Sequence, residues 1–161
     1  MRDTHLALAL LGAANGLQAG LSPGRLPPMM AMMIGLATGL AASRLAAVAT
    51  DHLLVAACAM SILSAGACWL PQRARPLAAG VVLSLCSGLI AGHLAMASDL
   101  LQTAGFAGAC VFAVVATVAL RRRGWSLAVL VVAGWLIAIG TLNLTLTVLP
   151  VTPGYAPDHL E

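Results

Sequence analysis

The sequence predicts an all-α integral membrane protein, a compact bundle of about six transmembrane helices. Three observations carry that reading. The first is composition: 61% of the 161 residues are hydrophobic and 8% are charged, with a mean hydropathy of +0.99. A soluble domain of this size needs a charged shell, and eight basic and five acidic residues cannot make one. Lipid must therefore cover much of the surface. The second is a series of six apolar runs, at about 4–22, 27–47, 53–71, 76–98, 103–120 and 125–149. Each is close to the roughly 20 residues that cross a bilayer's ~30 Å hydrocarbon core. The third is arginine placement. Arg25, Arg73, Arg75, Arg121, Arg122 and Arg123 fall between alternate runs, and only Arg2 and Arg44 fall on the other side.

Run one holds Asn15 and Gln18 and is the least apolar. Arg2 followed by LALALLGA has the outline of a signal peptide, but the segment is read here as a retained first helix. Run two opens at Pro27-Pro28, and run three ends in Trp69-Leu70-Pro71. Proline at these edges costs little, because a helix end has no partner for the missing N–H. Run four, between Arg75 and Asp99, is uncharged over residues 77–92 and carries Gly88 and Gly92 as a G-x-x-x-G step. Run five leads to the Arg121–Arg123 triplet, and run six begins at Trp125, an interfacial anchor type, and stops at Pro150. The alternation in TLNLTLTVL resembles a strand. An isolated strand in hydrocarbon leaves its backbone unpaired, so the expectation is helix or a frayed end. Residues 1–150 thus form the transmembrane domain and 151–161 a short extramembrane tail.

The arginine split predicts cytoplasmic arginine-bearing loops and both termini on the opposite, periplasmic side. Every acid (Asp3, Asp51, Asp99, Asp158 and Glu161) lies on the opposite side. A repeat accompanies this polarity: LATGLAASRLA at 36–46 matches LCSGLIAGHLA at 85–95 at six of eleven positions. Runs two and three are thereby expected to recur as runs four and five in the same orientation, as parallel hairpins. Chance similarity in Ala/Gly/Leu-rich sequence is the competing account. Glycine steps at 12/16/20, 35/39 and 88/92 remove side chains from one stripe of a helix and let backbones approach. They imply close packing within the bundle, against a second copy, or against partner membrane subunits.

Cys58, Cys68, Cys86 and Cys110 all sit inside apolar runs without a C-x-x-C, and read as small buried residues. All four histidines fall on the predicted outer side, each near an acid: Asp3 with His5, Asp51 with His52, His93 with Asp99, Asp158 with His159. Imidazole with carboxylate suits Ni, Co, Zn or Cu(II) as a transported ion. His93 and Met96 share a helix face with Asp99 about a turn further out, and His52 and Asp51 lie in the other hairpin. His93, Asp99, Met96, His52 and Asp51 are therefore the candidate metal residues. The glycines beside His93 are expected to turn it toward a neighbouring helix. The competing account is that polar residues collect where helices leave the membrane. Met29, Met30, Met32 and Met33 form a second cluster; thioethers suit Cu(I), and 29, 32 and 33 share a face, but Met is also a common gap filler.

No nucleophile–base pair, phosphate loop or paired carboxylates within a span can be read from the sequence, so the expectation is a non-enzyme. There is no basic-aromatic interleaving, which argues against nucleic acid as a partner.

Residues 16–42, GLQAGLSPGRLPPMMAMMIGLATGLAA, resemble the HupE/UreJ family of small bacterial permeases. The Gly16, Ala19 and Gly20 frame fits that family's G-x-x-A-G-x-x-H-P-x-x-G-x-D-H, and the helix after Met30 is similar. The resemblance implies about six spans, an outer N-terminus, and nickel or cobalt uptake. The family's metal-binding His, Asp and His would fall on Pro23, Met29 and Met30, so that motif is missing. Its second motif would fall near Ala91–Met96, where Gly92 matches and His93 is out of register. The sequence thus points to an inner-membrane transporter or metal-handling protein for a transition-metal cation, or to a non-catalytic subunit or assembly factor of a larger membrane complex.

Overall fold

The computed structural model describes residues 2–22, 26–45, 49–71, 76–96 and 100–149. They form α1 (Arg2–Leu21), α2 (Leu26–Ser43), α3 (Thr50–Ala67), α4 (Leu77–Met96), α5 (Leu100–Arg122) and α6 (Ser126–Val148). These match the six apolar runs to within a few residues, and no strand occurs among the described residues. The alternating TLNLTLTV stretch is helical. Thr145 and Thr147 donate their hydroxyls back to carbonyls three and four residues earlier, at 2.8–3.0 Å, which hides the polar groups from lipid. α2 to α6 are each long and apolar enough to cross a bilayer. The chain is a multi-pass helical membrane protein. Residues 151–161, expected as a tail, lie outside the described residues.

The turn between α5 and α6 is set by glycine. Gly124 sits at φ +76°, Gly124 N–H donates to Arg121 O at 3.0 Å, and Trp125 N–H reaches Leu120 O at 2.9 Å. The left-handed φ reverses the chain and satisfies the last carbonyls of α5.

Packing is governed by the glycine steps. α2 lies along α4, and each presents two glycines to the other's backbone. A Cβ at Gly35 would strike Leu85 O, and one at Gly39 would strike Leu89 O; Gly88 and Gly92 meet Met32 O and Leu36 O in return. Both sets advance together, so the helices run parallel, as the repeat requires. The contact is a local two-fold relating positions 53 apart (Gly35 to Gly88), whereas the sequence match relates positions 49 apart (Leu36 to Leu85). The difference is one helical turn. α3 and α5 do not share an environment: α3 packs mainly on α6 and α1, and α5 mainly on α1.

α1 also runs parallel to its main partner. Cβ atoms at Gly12, Gly16 and Gly20 would meet Phe106 O at 2.6 Å, then Cys110 O, then Thr117 Cβ at 2.8 Å. α6 runs antiparallel to α3, with Gly134 beside Trp69 and Gly140 beside Ile62. α1 packs against α3, α4, α5 and α6, and from Ala7 to Gly20 every residue except Ala9 and Ala13 is buried. The least apolar run is thus the innermost helix.

Candidate functional site

The expected metal residues are spread over one end of the bundle, where α3 starts and α4 finishes. Asp51 and His52 are exposed in the first turn of α3. His93 is half-buried in the last turn of α4, and its Nδ1–H donates to Leu89 O at 3.2 Å. The glycine contact does not turn it inward. Gly88 and Gly92 face α2, and Ser87, Ala91 and Leu94 are buried in the core. His93 occupies the remaining flank with Cys86 and Val82, the latter 56% exposed. Met96 belongs to the same last turn of α4. Asp99, Asp158, His159 and Glu161 lie outside the described residues. Among the described residues no three His, Cys, Asp or Glu gather as a metal set.

The methionine cluster is split by the α2–α4 contact. Met32 is buried, with Cys110 Sγ–H 3.7 Å from its Sδ, while Met30 and Met33 are 62% and 60% exposed. Positions 32 and 33 therefore fall on opposite sides of the line between core and lipid.

A different set of polar residues is brought together, and it lies inside. Three helices carry inward stripes at three- and four-residue spacing, buried except at the half-buried ends Ser22 and Gly80: 8/11/15/18 on α1 continuing to 22 just past it, 54/57/61/64 on α3 continuing to 68 just past it, and 94/91/87/84/80 on α4. Their ends meet at one cavity of about 40 Å³, lined by Gln18, Ser22, Cys68 and Gly80 among others. A Cβ at Gly80 would lie 3.5 Å from Gln18 Nε2 and 3.7 Å from Ser22 Oγ, while Leu8 and Leu11 cluster with Ala91 and Leu94, so α1 and α4 run antiparallel. From this shared level each stripe can be followed by helical rise, about 5.4 Å per turn.

All three stripes change character at the same depth. Near the cavity they read Ser22, Gln18 and Asn15; Cys68, Ser64 and Ser61; Gly80, Ser84 and Ser87. Beyond it they read Leu11 and Leu8; Ala57 and Leu54; Ala91 and Leu94, joined by Phe106 from α5 in one apolar cluster. Asn15, Gln18, Ser61, Ser64, Ser84 and Ser87 are each 7% exposed or less. Ser61 and Asn15 return a hydrogen bond to their own helix, at Ala57 O (2.7 Å) and Leu11 O (2.8 Å). Asn15 Oδ1, Gln18 Oε1, Ser64 Oγ and Ser87 Oγ have no protein partner. Each such group, buried and unmatched, costs about 1–3 kcal/mol.

The cavity sits at the end of the bundle that carries Arg121, Arg122 and Arg123, and Arg121 Nη1 donates to Leu21 O at 3.4 Å. No buried side chain among the described residues of these stripes is ionisable other than Cys68, so the site is a neutral one, rich in oxygen acceptors. Sequence reasoning passed over it because serine in an apolar run reads as packing. The usable signal was positional: polar residues at helical spacing in three runs, all the same distance from the arginine-bearing end.

The fold defines a class, the polytopic helical membrane protein with a polar core on one side. Comparison with protein-family models, characterised proteins and solved structures returned no match to this chain.

Proposed function

We propose that the protein is a small bacterial inner-membrane transporter for a transition-metal cation, with α1 lining the path. The observation that supports it is the burial of Asn15 and Gln18 in the innermost helix, with both amide oxygens unmatched. Polar side chains enclosed by a bundle in lipid either join helices by hydrogen bonds or line a path, and these two amide oxygens make no interhelical bond. In this reading Asp51, His52 and His93 meet the ion at the periplasmic end, with Met96 and Asp99 completing the donor set. Imidazole and carboxylate suit Ni, Co, Zn or Cu(II); the resemblance to HupE/UreJ permeases implies nickel or cobalt uptake, and the arginine asymmetry supports a periplasmic side for these residues.

The test is uptake of radioactive nickel and cobalt into proteoliposomes holding the parent protein, Gln18→Leu and His93→Gln. Transport in the parent should fall about tenfold or more with Gln18→Leu at equal incorporation, and His93→Gln should raise the half-saturating metal concentration. No transport in the parent ends this reading.

A second reading, a subunit or assembly factor of a larger complex, has its own observation. On α5 the exposed Gly105 and Gly108 would give a Cβ nothing within 4 Å, beside Val111, Phe112 and Val115 at 56%, 75% and 61% exposure. Glycine on an open helix face is what a partner helix uses for close approach. A stoichiometric partner after purification in mild detergent, with no metal bound, would favour it.

A further inference from the structure

We infer that the polar stretches of α1, α3 and α4 enclose bound water continuous with the end cavity, so that the bundle is hydrated from its arginine-bearing end to about its middle and dry beyond. The inference rests on the geometry of the stripes and stands whether or not a metal ion is carried.

Four buried polar atoms without a protein partner come from three different helices at neighbouring depths: Asn15 Oδ1, Gln18 Oε1, Ser64 Oγ and Ser87 Oγ. Their helices meet at the end cavity, which Gln18 lines while the other three lie deeper along the same stripes, and lipid offers no hydrogen bond to relieve them. Serine has a local remedy, the carbonyl one turn back, and Ser61 and Thr117 use it at 2.7 Å. Ser64 and Ser87 do not, so their hydroxyls are available to something between the helices. Both amide oxygens accept, so the occupant must donate hydrogen bonds. The resident occupant, when no ion is being carried, must also be neutral, because these stripes offer no carboxylate to hold a cation at rest in a medium where an unpaired charge is costly.

Size selects water. About 10–15 Å³ holds one water molecule, and the cavity measures about 40 Å³. Gln18, only 7% exposed, lines it and links it to Asn15 one turn deeper. Leu70 and Leu77, each nearly half exposed, line the same cavity and carry it to the surface. At the other limit Leu8, Leu11, Leu94 and Phe106 are all 2% exposed or less, and they form a closed apolar layer. Water reaching Asn15 would thus stop against these four side chains.

Three native cysteines make the test possible without substitution. Cys68 lines the cavity, while Cys58 and Cys110 lie in the apolar cluster, and all three are 2% exposed or less. Brief X-ray radiolysis produces hydroxyl radicals from bound water in place, and mass spectrometry reads oxidation at each thiol in the full-length protein in nanodiscs. Cys68 is expected to oxidise about tenfold faster than Cys58 and Cys110, since bound water lies beside it and not beside them. Equal slow rates at the three thiols overturn the inference. A second arm uses Gln18→Leu, which replaces the amide with an apolar group of similar volume. Cys68 oxidation should then fall several-fold toward the rate of Cys110, with an unchanged elution profile. Undiminished oxidation in a folded Gln18→Leu protein would show that the water at Cys68 is surface water, and the continuous polar interior would be refuted.

Discussion

α6 and α1 invert each other. α6 has the highest mean hydropathy of the candidate spans, 2.2, yet only 17% of that window is buried. Leu127, Val131, Trp135 and Leu142 point away from the protein at 58–75% exposure. α1 carries Asn15 and Gln18 and falls short of the candidate spans, yet it is enclosed almost completely. In water the apolar helix would be the buried one, because removing apolar surface from solvent is the driving force. In lipid that force between helices is absent, and association depends on close packing and hydrogen bonding. Small residues then move inward and large apolar ones outward. The sequence AANGLQAG at 13–20 is a poor lipid-facing surface and a good helix–helix surface.

The largest expected effect falls on the α1 side of that comparison. Gly16→Val adds a β-branched side chain where a Cβ alone would strike Cys110 O and lie 2.7 Å from Ala113 Cβ. Backbone cannot yield as a flexible side chain does, so α1 must leave α5. A loss of about 3 kcal/mol or more is expected, visible as lost monodisperse protein and a lowered melting temperature in detergent. A well-folded Gly16→Val protein would mean that α1 is not held this closely.

Gly92→Ala tests the α2–α4 contact with a smaller perturbation. Its Cβ would meet Leu36 O and lie 2.8 Å from Leu40 N, and the expected cost is about 1–3 kcal/mol despite alanine's better helix propensity. Gly39→Ala should cost about the same, because the two glycines occupy equivalent places in the local two-fold. Unequal costs would show that the two-fold contact does not share its load.

How far the sequence could be read follows the same line. The six helices were legible because each is a long apolar run, and for α2 to α6 length and continuous apolarity meet what a span needs. The glycine steps were legible as packing faces, since a missing side chain has one strong structural use. The partner of each face was not. Gly35 and Gly39 could have met any helix, and only the folded chain pairs them with Leu85 and Leu89. Nor was α1's place in the centre visible, because Asn15 and Gln18 lower its hydropathy, the very measure used to judge a span. His93 drew attention for its residue type and position, but its Nδ1–H donates to Leu89 O within its own helix. The polar layer around Gln18, Ser64 and Ser87 was hidden for the opposite reason: each residue is unremarkable alone, and only their common depth gives them meaning.

The smallest effects belong to α6, and they decide whether the inversion is real. Trp135 is 67% exposed on the lipid-facing side, while Phe106 on α5 is 2% exposed beneath α1. Replacing each by leucine removes an aromatic ring in both cases, so the chemistry of the change is similar and the environment differs. Trp135→Leu should alter stability by no more than about 0.5 kcal/mol, because lipid fills the space that the ring leaves. Phe106→Leu opens a space that Leu8, Leu11 and Leu94 cannot fill without moving, and should cost roughly 1–3 kcal/mol. Gly134→Ala, next to Trp135, gives a matching control: its Cβ would lie 3.6 Å from Trp69 Cζ2, an ordinary contact. It should be neutral or stabilise by up to about 1 kcal/mol through helix propensity alone. Thermal unfolding of the three variants in one detergent reads all of these. If Trp135→Leu proves as damaging as Phe106→Leu, then α6 is covered by protein rather than lipid, and the outward face of the most apolar helix is an interface.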